Sequence, residues 1–171
     1  MKNRDRSTII RQFVPSEVCL KCQGCCRYAE QHSVWAPCLL EEEIQEMADA
    51  DIPAVSISLD KRLCVVPNAS GDGYLCPFLD AATNKCKLYA RRPFECQLYP
   101  FLISVRQKKV LLTVDTNCTY VSEHLKTAAF KEYTEYLADF LNAPAQRKLL
   151  LGNPQLIQAY EEVLSVLELD L

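Results

Sequence analysis

Four cysteines fall within eight residues, Cys19-Leu-Lys-Cys22-Gln-Gly-Cys25-Cys26. Thiols two residues apart converge on one ion or cluster when a tight turn aims both sulfurs inward, as zinc knuckles and cluster-binding loops do. Gly24 supplies a position free to take backbone angles that other residues avoid. Adjacent side chains of an extended segment point opposite ways, so Cys25 and Cys26 are expected to serve different metals.

The chain has ten cysteines among 171 residues, and such a density means either disulfides or metal and thiol chemistry. The first residues, MKNRDRSTIIRQF, lack the continuous apolar core of a signal peptide, and no stretch reaches the ~18 apolar residues of a membrane span. The expectation is a cytoplasmic protein with reduced thiols, in which clustered cysteines bind metal. A net charge of −3 argues against a broad nucleic-acid-binding face.

With 49% hydrophobic residues the chain reads as an ordinary globular domain, large enough to fold without staples. Three regions are expected: a polar lead-in over 1–18, a cysteine-rich metal-binding region over 19–121, and a helical region over 122–171 that belongs to the same domain. Glu41 to Asp49 has the pattern of a short helix with Ile44, Met47 and Ala48 on one face. Residues 52–75 read as loops and short strands. Phe101 to Val105 and Val110 to Val114 form a hairpin, although its turn lacks Asn-Gly or Asp-Gly. From Ser122 onward, Leu125, Ala129, Tyr133, Leu137 and Leu141 recur every four residues, the stripe of an amphipathic helix that Pro144 ends. A last helix is predicted with Asn153 as its cap, Pro154 at its first position, and Ile157, Tyr160, Leu164 and Leu167 on its face. The architecture is thus α+β: a loop-rich, metal-centred half with a β-hairpin, packed against C-terminal helices.

Further cysteines stand in a fixed context: Cys76-Pro-Phe-Leu, Cys86-Lys-Leu-Tyr89, Arg92-Pro93-Phe-Glu-Cys96, Tyr99-Pro100-Phe101 and Asp115-Thr-Asn-Cys118. Together with the N-terminal octet, this pattern resembles the YkgJ-type cysteine-cluster family (CxxCxxCC), described as zinc- or iron-chelating. The resemblance runs from Cys19 to Cys118. It implies Cys19, Cys22, Cys25, Cys26, Cys76, Cys86, Cys96 and Cys118 as metal ligands. Cys38 and Cys64 lie outside the shared pattern, and Leu40 stands where the family often has the threonine that caps a helix.

Eight thiolates suffice for two four-sulfur sites. All-sulfur coordination suits iron–sulfur clusters, zinc and copper(I) alike, and with only two histidines mixed sites are disfavoured. The reading puts a cluster, 4Fe-4S by ligand count, ahead of zinc alone. Arg92 is the candidate cofactor-binding cation: a fixed guanidinium offsets thiolate charge and donates to sulfur. A redox or electron-transfer module with a protein partner is the first expectation, and a zinc-stabilised interaction module the second. A cluster-dependent enzyme or modification subunit is the third, without support from any nucleophile–base pair, phosphate loop or dinucleotide motif.

Overall fold

The computed structural model describes residues 10–22, 24–49 and 57–171. Half of the expected lead-in (1–9) and part of the expected loop region (52–56) lie outside the described residues. Among those described, six α-helices and eight short strands form a single α+β domain with three small antiparallel sheets.

The dominant sheet grows from the hairpin. β6 (Phe101–Arg106) and β7 (Lys109–Val114) pair from Phe101↔Val114 to Arg106↔Lys109, which leaves a two-residue turn. Gln107 and Lys108 both have positive φ, 50° and 65°. Left-handed conformations at both central positions are the primed turn whose twist matches the flanking strands, here without its usual Asn-Gly.

The predicted last helix is a correction. Pro154–Leu156 is a single 3-10 turn, and Leu164–Glu168 is a strand, β8, antiparallel to β7. Leu164 and Leu167 are three apart and so suit a helical face, but both pair with β7, opposite Val114 and Leu112. An open sheet edge with a full row of backbone partners outweighed weak helix propensity.

Pro144 ends the amphipathic helix as expected and also begins another. It ends α5 (Ala128–Asn142) and occupies the first turn of a further helix, α6 (Pro144–Gly152). Proline suits that position because its missing N–H would have no helical partner there. The stripe read from Ser122 spans two helices, since α4 (Thr119–His124) stops before Thr127 caps α5 by accepting the Phe130 N–H at 3.2 Å. Tyr133, Leu137 and Leu141 face the core as read, but Phe130 is buried and Ala129 exposed.

Two cores lie side by side. One joins the hairpin, α5 and α6 through Phe101, Ile103, Leu112, Leu137, Leu141 and Leu150. Phe13 reaches into it, with its ring centroid 5.2 to 6.0 Å from those of Tyr133, Tyr120, Phe130 and Phe101. The other core lies in the loop-rich half, where Tyr28, Leu39, Leu63, Val65 and Phe78 pack with Cys76. Here β1 (Arg27–Tyr28) and β2 (Val66–Pro67) flank β3 (Tyr74–Leu75), and β4 (Leu79–Asp80) pairs with β5 (Lys85–Cys86). Gly73 has φ of 81°, and a Cβ there would stand 2.6 Å from the Tyr28 carbonyl oxygen, so no other residue fits this approach.

α2 (Glu41–Asp49) covers the predicted residues, and Met47 is buried, but Ala48 is exposed and Glu43 buried in its place. Glu43 supplies what Leu40 lacks. Its Oε2 accepts the Leu40 N–H at 3.0 Å, and its Oε1 accepts the Phe94 N–H at 2.7 Å. One carboxylate thereby satisfies the starts of both α2 and α3 (Phe94–Leu98).

Candidate metal centre

All ten cysteines are free thiols. Cys19 ends a one-turn helix, α1 (Ser16–Cys19), and the Cys22 N–H continues the turn by donating to Val18 O (3.1 Å) and Cys19 O (3.2 Å). Gly24 does not use its freedom for a left-handed conformation; a Cβ there would stand 3.3 Å from Cys22 Sγ, so glycine leaves space beside that sulfur. Gly24 to Cys26 form a second turn, closed by Arg27 N–H to Gly24 O at 3.0 Å. The alternation of an extended segment therefore does not apply, and the sulfurs of Cys25 and Cys26 lie 4.0 Å apart.

The later cysteines come to this knuckle through the fold. The Cys76 N–H donates to Cys26 O at 3.0 Å. Cys86 is carried on β5, opposite Leu79. Cys96 lies on α3, whose Phe94 and Leu98 are anchored in the main core. Cys118 directly precedes α4.

Electrostatics tie the thiols together. Cys26 is held well below the usual thiol range because Cys25 and Cys76 hydrogen-bond to its sulfur. Cys25 and Cys76 are raised, first by those same bonds and then by burial. Burial is the leading cause of the upward shift at Cys19, Cys86, Cys96 and Cys118. At Cys19 the charge of Cys118 adds to it, at Cys86 and Cys96 that of Cys26, and at Cys118 that of Cys22. All eight cysteines of the pattern thus fall in one connected electrostatic network. Among the described residues no three His, Cys, Asp or Glu side chains converge closely enough to hold an ion as they stand.

Arg92 sits within this network. Its charge favours the thiolates of Cys19, Cys26 and Cys86, and its guanidinium carbon lies 4.1 Å from the centre of the Tyr89 ring. The Tyr89 hydroxyl is in turn 2.7 Å from Ser16 Oγ, beside α1. The Arg92 Nε–H is buried and has no hydrogen-bond partner. A buried donor without an acceptor costs about 1–3 kcal/mol. The donor set is all sulfur, and a cation with an unused donor lies against it, so the residues present fit an anionic metal–thiolate group.

Cys38 and Cys64 stand apart. Cys38 is fully buried, and its thiol is pushed up to about 12 by burial and then by Glu95. The Glu95 carboxylate accepts the Cys38 N–H at 2.6 Å and is itself pushed up to about 8 by burial. Arg62 braces the same region, donating to Ala36 O at 2.6 Å and Gln158 Oε1 at 2.7 Å. Cys64 is half-buried and enters none of the thiol contacts above. Sequence reasoning missed Glu43, Glu95 and Asp115. Only Asp115 carried a local signal, an Asp two residues before an Asn whose N–H its Oδ1 accepts at 2.9 Å.

No helix among the described residues is long and apolar enough to cross a membrane. No solved structure matches the chain. An uncharacterised protein of Methanocaldococcus jannaschii, MJ0661, is 32% identical over 102 residues, which cover 57% of this chain and 51% of that protein. The match thus spans about half the length of this relative. Residues 18–128, well over half of the chain, match the CxxCxxCC family, described as a "Putative zinc- or iron-chelating domain". The span takes in all eight clustered thiols and Arg92, and the chain belongs to this family.

Proposed function

We propose that the protein binds metal through Cys19, Cys22, Cys25, Cys26, Cys76, Cys86, Cys96 and Cys118, holds at least one iron–sulfur cluster, and serves as a redox or electron-transfer module for a protein partner in the cytoplasm. The observation that carries the reading is the buried, partnerless Arg92 Nε–H beside an all-sulfur network. A donor aimed at metal-bound thiolate would find its acceptor there, and such a bond raises a cluster's potential by stabilising its reduced, more negative form. When bound, a cluster supplies one-electron chemistry; the chain supplies ligands, a cation, and Tyr28 and Tyr99 as partial cover.

The second reading is a structural zinc protein with an interaction surface. It is favoured by the part of the network that is buried or half-buried, around Cys26, Cys76, Cys86 and Cys96, since closed four-thiolate sites are the architecture of structural zinc. Anaerobic purification followed by elemental analysis and visible spectroscopy separates the two. Brown protein with iron and acid-labile sulfide is expected. Colourless protein with bound zinc alone would support the second reading, and protein with neither metal would end both.

A further inference from the structure

Resting on the reading of a metal protein that serves a protein partner, we propose that the exposed cations beside the knuckle form the docking face for that partner. The partner meets this face with a carboxylate-rich surface. Lys21, Lys85, Lys87 and Arg91 supply its charge, and Leu20 and Tyr89 its apolar part.

Charge is unevenly placed along the chain. Of 19 cationic and 22 acidic residues, the segments 18–29 and 81–94 hold six cations and no acid. The remaining residues hold 13 cations against 22 acids, a net charge of −9. The fold brings the two cationic segments together. Asn84 Nδ2 donates to Leu20 O at 3.2 Å, and Asn84 Oδ1 accepts from Arg27 Nη2 at 2.8 Å. The Tyr89 hydroxyl and Ser16 Oγ, 2.7 Å apart, make a third link. Lys21 and Lys85 therefore each follow a residue bonded to the other segment, and Arg91 ends the 3-10 turn that Tyr89 begins.

Burial sorts the six cations. Arg27 and Arg92 are half-buried, one held by Asn84 and the other against the Tyr89 ring. Lys21, Lys85, Lys87 and Arg91 are exposed, and among the described residues none of them is in an ion pair. Of the acids that border these segments, Asp80 already accepts from the Thr83 hydroxyl at 2.8 Å and Glu95 from the Cys38 N–H at 2.6 Å. Leu20 and Tyr89 lie among the four free cations and are 42% and 46% exposed.

Large apolar side chains among exposed charges are the make-up of a protein-docking surface, and the cations steer an acidic partner toward it. A long nucleic acid would run past this small face onto surface of its own sign, whereas a globular partner need touch only the face. Leu20 and Lys21 stand between the exposed thiols Cys19 and Cys22, so a partner seated there lies beside those sulfurs.

Amide shift mapping by NMR of the full chain, loaded with zinc and titrated with a repeating Glu-Glu-Phe peptide, tests the proposal. Shifts are expected at Leu20, Lys21, Lys85, Lys87, Tyr89 and Arg91, with affinity falling as salt rises. The triple variant Lys21→Glu, Lys85→Glu, Lys87→Glu should weaken binding by about tenfold, while Arg147→Glu, Lys148→Glu on α6 should leave it unchanged. Shifts scattered over the surface or confined elsewhere, or equal weakening in the two variants, overturn the face. Tighter binding of double-stranded DNA than of the peptide at these residues overturns the assignment to a protein. Zinc uptake measured on the same sample separates the two readings. A chain that takes up no zinc defeats the metal-binding reading, whereas a zinc-loaded chain that shifts elsewhere defeats the docking face alone.

Discussion

The Tyr99 hydroxyl donates to Asp115 Oδ2 at 2.8 Å, and the Asp115 N–H donates to Pro100 O at 2.9 Å. These bonds close the open end of the β6–β7 hairpin, where the chain arrives from Cys96 and departs toward Cys118. Asp115 is buried, and its carboxylate depends on the Tyr99 hydroxyl and on the Asn117 N–H, which donates to Oδ1 at 2.9 Å. Tyr99→Phe should destabilise the protein by about 1–2 kcal/mol and Asp115→Ala by about 2–3 kcal/mol, since the latter also strands the Asn117 N–H. Urea unfolding midpoints at constant m-value check both.

Arg92→Met should act with opposite sign in the two metal states. In metal-stripped protein it removes a buried donor without a partner and forfeits a contact with Tyr89 of about 0.5–1 kcal/mol, for a net gain of about 1 kcal/mol. In metal-loaded protein it removes a guanidinium that acts on both Cys19 and Cys26, so stability and metal affinity should fall. Thermal unfolding of parent and variant, with and without chelator, checks the reversal; an equal shift in both states would place Arg92 outside the metal's influence.

Glu43 serves two helix starts at once. Glu43→Ala leaves the Leu40 and Phe94 N–H groups without their acceptor, at an expected cost of about 2–4 kcal/mol. Glu43→Gln keeps one acceptor oxygen and should cost less. Hydrogen exchange at Phe94 should accelerate in both, because the bond that protects this amide is weakened or lost.

The hairpin turn can be improved. Gln107 and Lys108 hold φ of 50° and 65°, a strain that Asn and Gly carry more cheaply. The double substitution Gln107→Asn, Lys108→Gly should raise stability by about 0.5–1 kcal/mol without changing metal content. Calorimetry of metal-stripped and loaded samples checks it.

What could be read in the sequence was what local chemistry dictates. Phe101–Arg106 and Lys109–Val114 carry β-rich residues on both sides of a short polar link, and Glu41–Asp49 announces itself by acidic residues ahead of an apolar face. What was hidden depends on partners far along the chain. Leu164 to Glu168 becomes a strand only because β7 offers an edge more than fifty residues earlier in the sequence. Glu43 caps helices that no local pattern links, since Leu40 gives no capping signal. The octet Cys19 to Cys26 was evident at once, yet the neighbours of Cys25 and Cys26 are set by Cys76, Cys96 and Tyr99, which only the fold brings near.

Phe13 bears on the order of events during synthesis. Its ring lies three residues before α1 and packs against Phe101, Tyr120, Phe130 and Tyr133. None of these exists when the first knuckle thiols leave the ribosome, since chains emerge from the N-terminus at about 5–20 residues per second. The earliest cysteines made are therefore the last to be fixed in place, and for several seconds they are open to any thiol-seeking ion or oxidant the cell presents. A chain with this layout gains from having its metal delivered after Tyr133 has been added, not before.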